Sequence, residues 1–191
     1  MDAPVSPALV QVFRSVGRDL FLQGLNSSHS GNLSARDGRT LWLTRRGAPL
    51  GRLKVDDLIP VSLDHPEPMA SAASSEFPAH RSICGNERAQ AVVHAHPPAT
   101  IALSFSRSRI EPVDMEGIHY FSRVQVIETP TPYDPQEAAE PISRALQEAK
   151  IVVVRGHGSF SWGADLWEAY HWVSALEHSC RILLLSLLDR A

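Results

Sequence analysis

The sequence predicts one α/β domain spanning residues 1–191, and three observations carry that prediction. Short apolar or β-branched runs, such as residues 91–95 and 151–154, alternate with longer stretches of helical periodicity. Turn signals separate these runs, and no repeat, low-complexity tail or internal linker divides the chain. Its 191 residues, 43% of them apolar, suffice to bury one substantial core.

In chain order, residues 7–24 read as an amphipathic helix, with Leu9, Val12, Phe13, Val16 and Leu20 at helical spacing and Gly24 as the stop. Residues 26–34 have the Ser, Gly and Asn content of a turn. Extended segments are expected at 32–36, 40–44 and 58–63, the first two joined by an Asp37-Gly38 hairpin turn. A surface loop over 64–74 leads to a helix over 76–86. Residues 91–95 form a buried strand, which Pro97-Pro98 ends before a helix over 99–104. A short strand at 124–127 precedes a helix over 135–149. The continuous β-branched run 151–154 predicts a central strand. Gly156, Gly158 and Gly163, around His157 and Trp162, predict a tight strand–turn–strand, and a last helix covers 164–188.

Composition narrows the function. A net charge of −3 with no basic run gives no electrostatic case for nucleic acid, while a small anion can still find a locally positive pocket. No signal-peptide pattern opens the chain, and the apolar run 182–188 is too short to span a bilayer. Cys84 and Cys180 lie far apart without a CxxC pair and read as buried, reduced thiols of a cytoplasmic protein.

The sharpest chemical signal is His94-Ala95-His96. Residues two apart on a strand share a face, so both imidazoles can reach one ion. His157, between two glycines after a buried strand, is the third candidate ligand. Three protein ligands with an open position form a catalytic arrangement, zinc being the leading ion. Mn2+, Co2+ or Fe2+ also suit such a site. His171 and His178 read as ordinary helix residues, and His29, His65 and His80 have no ligand pattern.

Ser74-Ser75-Glu76 precedes a helix. The serines serve either as an N-cap or as part of an anion site at the helix N-terminus. Glu76 has the wrong spacing for a capping box and stands as a free carboxylate suited to proton transfer. His29-Ser30-Gly31-Asn32-Leu33-Ser34 is a second candidate anion loop, through its amides and the Asn32 side chain. Arg45-Arg46-Gly47 supplies guanidinium groups that either bind an anion or remain a solvated pair.

Five motifs in order resemble the class II aldolase/adducin family: Gly31-Asn32-Leu33-Ser34, Ser74-Ser75-Glu76, His94-Ala95-His96-Pro97, Ile118-His119-Tyr120 and Gly156-His157-Gly158. The resemblance implies a three-layer α/β/α fold with a central, mostly antiparallel sheet covered by helices, and a homotetramer with sites between neighbours. By it, His94, His96 and His157 match zinc ligands, Glu76 the catalytic acid/base, and Asn32, Ser74 and Ser75 phosphate contacts. Tyr120 matches a tyrosine that reaches a neighbour's site to handle the aldehyde proton. Where sugar-phosphate members carry a Thr-Pro-Ser-Gly-like loop, this chain has Thr44-Arg45-Arg46-Gly47, so Arg46 and Gly47 face either a phosphate or a carboxylate.

The implied activity is retro-aldol cleavage of a small ketose phosphate to dihydroxyacetone phosphate and an aldehyde, through an enediolate stabilised by the metal. A keto-acid decarboxylase and a sugar-phosphate dehydratase are the rivals on the same chemistry. An epimerase fits less well, since those members carry Asp where Glu76 stands. An adducin-like interaction module would lack the histidine set.

Overall fold

The structure, a computed structural model, describes residues 4–64, 72–131 and 134–188. Its strands are β1 (Asn32–Asp37), β2 (Thr40–Thr44), β3 (Leu58–Ser62), β4 (Ala91–Ala95), β5 (Arg109–Ile110), β6 (Val124–Ile127), β7 (Ile151–Val154) and β8 (Gly158–Gly163). Its helices are α1 (Pro7–Leu22), α2 (Phe77–Cys84), α3 (Pro98–Ser104), α4 (Met115–Tyr120), α5 (Pro135–Ala145) and α6 (Leu166–Leu188). The strands form one sheet in the order β3-β2-β1-β4-β8-β7-β6-β5. Among the described residues only β6 and β7 pair in parallel. The sheet is therefore mostly antiparallel, as expected.

Alternation along the strands sorts the core into two layers. Ala91, Val93 and Ala95 of β4 pack with Phe13 and Leu20 of α1, Leu103 of α3 and Val173 and Leu176 of α6. Val92, Val152 and Phe160 pack on the other face with Ala79 and Ile83 of α2 and Ala139 and Ile142 of α5. His94 shares the parity of Val92, so it faces α2 and α5. α1 starts as its sequence dictates, with Pro7 in the first turn and Ser6 Oγ accepting the Leu9 N–H at 3.2 Å.

Several elements escape the periodicity. Two one-turn 3-10 segments, Leu50–Arg52 and Val55–Asp57, precede β3. β5 has two residues and α4 six, too few to display a period. Asp114 caps α4 by accepting the Gly117 N–H at 2.8 Å. α5 stops at Ala145 rather than 149, because Trp162 Nε1 donates to the Leu146 and Ala149 carbonyls and turns the chain toward β7. The loop expected over 64–74, with His65, falls largely outside the described residues. Among the described residues no helix is long and apolar enough to cross a membrane.

Candidate metal centre and active site

His94 is the fourth residue of β4, and His96 lies just past its end. β8 runs antiparallel to β4 with Ser159 opposite Ala95, so the β7–β8 turn carries His157 back beside the strand end. Gly156 makes that turn at φ +67°. At Gly158 a Cβ would lie 2.3 Å from the Ala95 carbonyl oxygen and 3.0 Å from His96 Cδ2, so only glycine allows the two strands to close up. The three histidines converge: one ring nitrogen from each lies within 4.8 Å of the others.

The tautomers suit a cation. His94 stacks on Phe160, ring centroids 4.0 Å apart, and its Nδ1–H donates to the Ser159 carbonyl at 3.0 Å. That leaves His94 Nε2 with a bare lone pair, 2.9 Å from His96 Nε2. Two imidazole nitrogens so close share either a proton or a cation, and the donor set fits a divalent ion with coordination left open. Burial depresses all three pKa values, helped by mutual repulsion at His94 and His96; that of His96 falls to about 4. The imidazoles are therefore neutral at pH 7 and free to ligate. The trio is consistent with a divalent-metal site.

Glu76 stands at the start of α2, its Oε1 3.7 Å from His157 Nε2. Its Oε2 is buried with no hydrogen-bond partner among the described residues, and burial raises the carboxyl pKa to about 7. Ser75 and Glu76 line, with His96, His157, Phe105 and Arg155, a cleft of about 790 Å³. Neither serine caps α2: Glu76 occupies the cap position without a side-chain bond, while Ser74 Oγ accepts the Glu76 N–H at 3.3 Å.

The remaining anion candidates gather beside these groups. Asn32 lies opposite His94 on the neighbouring strand. The turn after β2 is tied to the Ser74 segment: Ser74 N–H donates to the Thr44 carbonyl at 3.0 Å and Arg46 N–H to that of Ala72 at 3.1 Å. Gly47 holds that turn at φ +70°. Arg45 is occupied, its guanidinium bonded to the Asp56 carbonyl and near Asp57. The exposed Arg46 guanidinium has no partner among the described residues.

Tyr120 lies elsewhere. It ends α4 and packs edge-on against His171 of α6 at 4.7 Å, on the sheet face opposite the histidine trio. A single chain does not bring it to the cleft.

Three supporting residues gave no ligand or cofactor pattern in the sequence. His80, one helical turn past Glu76, is fully buried and bonds both Asn32 and Ser34. Asn26 Oδ1 accepts the His96 N–H at 3.0 Å, and Gly31 makes room for it: a Cβ there would lie 2.5 Å from the Asn26 amide. Glu177, 2% exposed, accepts from Ala99 N–H, Thr100 N–H and Thr100 Oγ1, anchoring α3 just after His96. The i+4 spacing of Glu177 and Arg181, whose guanidinium donates to Glu177 at 2.9 Å, was an available sequence signal.

The model of the class II aldolase and adducin N-terminal domain family matches residues 11–184. The crystal structure of L-fuculose-1-phosphate aldolase from Thermus thermophilus superimposes with a TM-score of 0.91 at 40% identity, covering 97% of each chain. The L-fuculose phosphate aldolase of Methanocaldococcus jannaschii is 27% identical over 177 residues, 92% of this chain and 96% of that one. A probable bifunctional methylthioribose-1-phosphate isomerase/methylthioribulose-1-phosphate dehydratase of Nocardia farcinica is 28% identical over 189 residues. The match takes in 89% of this chain but only 34% of that longer protein.

Proposed function

The chain belongs to the class II aldolase and adducin family, and on that footing we propose that it is a zinc-dependent aldolase. Its substrate would be a small ketose phosphate, cleaved to dihydroxyacetone phosphate and an aldehyde. The observation that carries this reading is the convergence of His94, His96 and His157 beside the buried Glu76 carboxylate. Likeness to two proteins named as fuculose phosphate aldolases supports it.

His94, His96 and His157 would hold the divalent ion, which when bound supplies Lewis-acid polarisation of substrate oxygens. Asn32, Ser74, Ser75 and the Arg46-Gly47 turn hold the phosphate through neutral donors and one free guanidinium. Glu76, with a pKa near 7, is poised to carry a proton in either direction at neutral pH. In cleavage the C3–C4 bond breaks, the C4 hydroxyl loses its proton to Tyr120 and Glu76 returns a proton to C3. Tyr120 would come from a neighbouring copy in a homotetramer, since its own chain places it across the sheet from the trio. Free, buried Cys84 and Cys180 thiols suit a cytoplasmic enzyme formed by the whole chain as one domain.

Arg46 favours one second reading. A guanidinium in place of a small hydroxyl donor also suits a carboxylate, as a keto-acid decarboxylase would need, and a dehydratase on this fold shares the proton chemistry. A panel of sugar phosphates and keto acids, assayed for both dihydroxyacetone phosphate and carbon dioxide, separates these readings. Release of dihydroxyacetone phosphate that disappears on chelation is the expected result. Full turnover by metal-free protein would overturn the proposal, and carbon dioxide release alone would replace it with the decarboxylase.

A further inference from the structure

Beneath the cleft runs a buried chain of hydrogen bonds with a direction. Ser34 Oγ lies 2.7 Å from His80 Nδ1, and His80 Nε2 lies 2.5 Å from Asn32 Oδ1. Ser34 and His80 are both fully buried.

The polarity of the chain follows from its Asn32 end: an amide oxygen only accepts, so His80 Nε2 donates to Oδ1 and the bare Nδ1 accepts from the Ser34 hydroxyl. His80, kept neutral by burial, then carries its single proton on Nε2. That N–H can be accepted only by an oxygen, so the Asn32 amide is locked with Oδ1 inward and its NH2 group turned away from His80. The two ends of an amide differ little in shape, and such a network is what selects between them. Asn32 Nδ2 has no partner among the described residues, and Asn32 stands opposite His94 across the β1–β4 pair.

We propose that His80 is a positioning residue for anion recognition, presenting the Asn32 amide as a donor and thereby excluding the flipped, oxygen-outward form that would repel a phosphate. The role rests on the reading above, in which Asn32 contacts the substrate phosphate. It adds a determinant outside the ligand shell, since His80 itself touches neither metal nor phosphate.

The test uses the full-length, zinc-loaded protein with inorganic phosphate as probe. In the wild type, nitrogen-15 spectra of the histidine rings should show His80 protonated at Nε2. His80→Leu should weaken phosphate binding by on the order of tenfold and leave one zinc per chain. His80→Gln, whose amide can still donate to Asn32 Oδ1, should recover most of that loss. A His80 ring protonated at Nδ1 would overturn the proposal. So would wild-type affinity in His80→Leu, or equal losses in the two variants. Should His80→Leu fail to fold, the tautomer in the wild type and the His80→Gln affinity decide. Asn32→Ala separates the two claims: if it binds phosphate as the wild type does, the reading of Asn32 as an anion contact fails first, and this role with it.

Discussion

His157 Nε2 lies 3.7 Å from Glu76 Oε1, while Glu76 Oε2 is buried with no hydrogen-bond partner among the described residues. A carboxylate in that position gains little from a neutral imidazole and loses its water. Two effects follow, one on stability and one on chemistry.

Burial raises the Glu76 pKa from 4.5 to about 7, so the folded chain holds this proton more tightly than the unfolded chain does. The linkage sign is then negative: stability falls as pH rises from 4.5 to 7 and stays low above it. In metal-free protein, Glu76→Gln should remove that fall and leave the variant more stable above about pH 7 by up to about 3 kcal/mol. Because the histidines titrate in both proteins, the difference between their denaturation curves isolates Glu76. Turnover of the zinc-loaded variant should drop at least about 100-fold.

Replacing His94 or His157 with Ala should eliminate stoichiometric metal, read by elemental analysis. Activity should fall by more than the roughly 10- to 100-fold typical of residues that only support a ligand. The fold should survive, visible as unchanged far-ultraviolet circular dichroism.

Arg46 is exposed, has no ion-pair partner among the described residues and projects from the turn tied to Ser74. Arg46→Ala should raise the KM for a phosphorylated substrate about tenfold with little change in metal content or melting temperature. An unchanged KM would leave Arg46 as a solvated surface group.

Gly158→Ala puts a methyl group 2.3 Å from the Ala95 carbonyl oxygen. The two strands must part, costing about 1–3 kcal/mol and shifting His157 relative to His96. Weakened zinc affinity, measured by competition with a chromogenic chelator, should accompany the lower melting temperature.

Glu177→Ala strips acceptors from Ala99 N–H, Thr100 N–H and Thr100 Oγ1 at the start of α3. A loss of about 3 kcal/mol in denaturant unfolding is expected, with Glu177→Gln intermediate.

Most of the sheet was readable because its strands are short runs of one character, as in the β-branched run from Ile151 to Val154. That logic fails only where too few residues exist to show a period: residues 109–110 and 115–120 carry no pattern, so β5 and α4 were invisible. The histidine trio was legible for a local reason. Strand alternation puts His94 and His96 on one face, and the glycines flanking His157 announce a turn. His80 and Glu177 were not, because, apart from Arg181 one helical turn beyond Glu177, their partners are 46 to 48 and 77 to 78 residues away in sequence. Buried polar residues of that kind look like errors of patterning until the fold supplies their acceptors and donors. Tyr120 marks the opposite case: its motif is recognisable, yet its packing against His171 within one chain says nothing of chemistry.

The histidine trio joins β4 to the turn that enters β8, two central strands far apart along the polypeptide. A cation bound there acts as a removable cross-link between them, absent from the unfolded chain. Resistance to denaturation then becomes a function of free-ion concentration, rising by about 2.7 kcal/mol when the ion stands at about 100 times its dissociation constant. Depletion would soften the centre of the sheet before it touched the periphery.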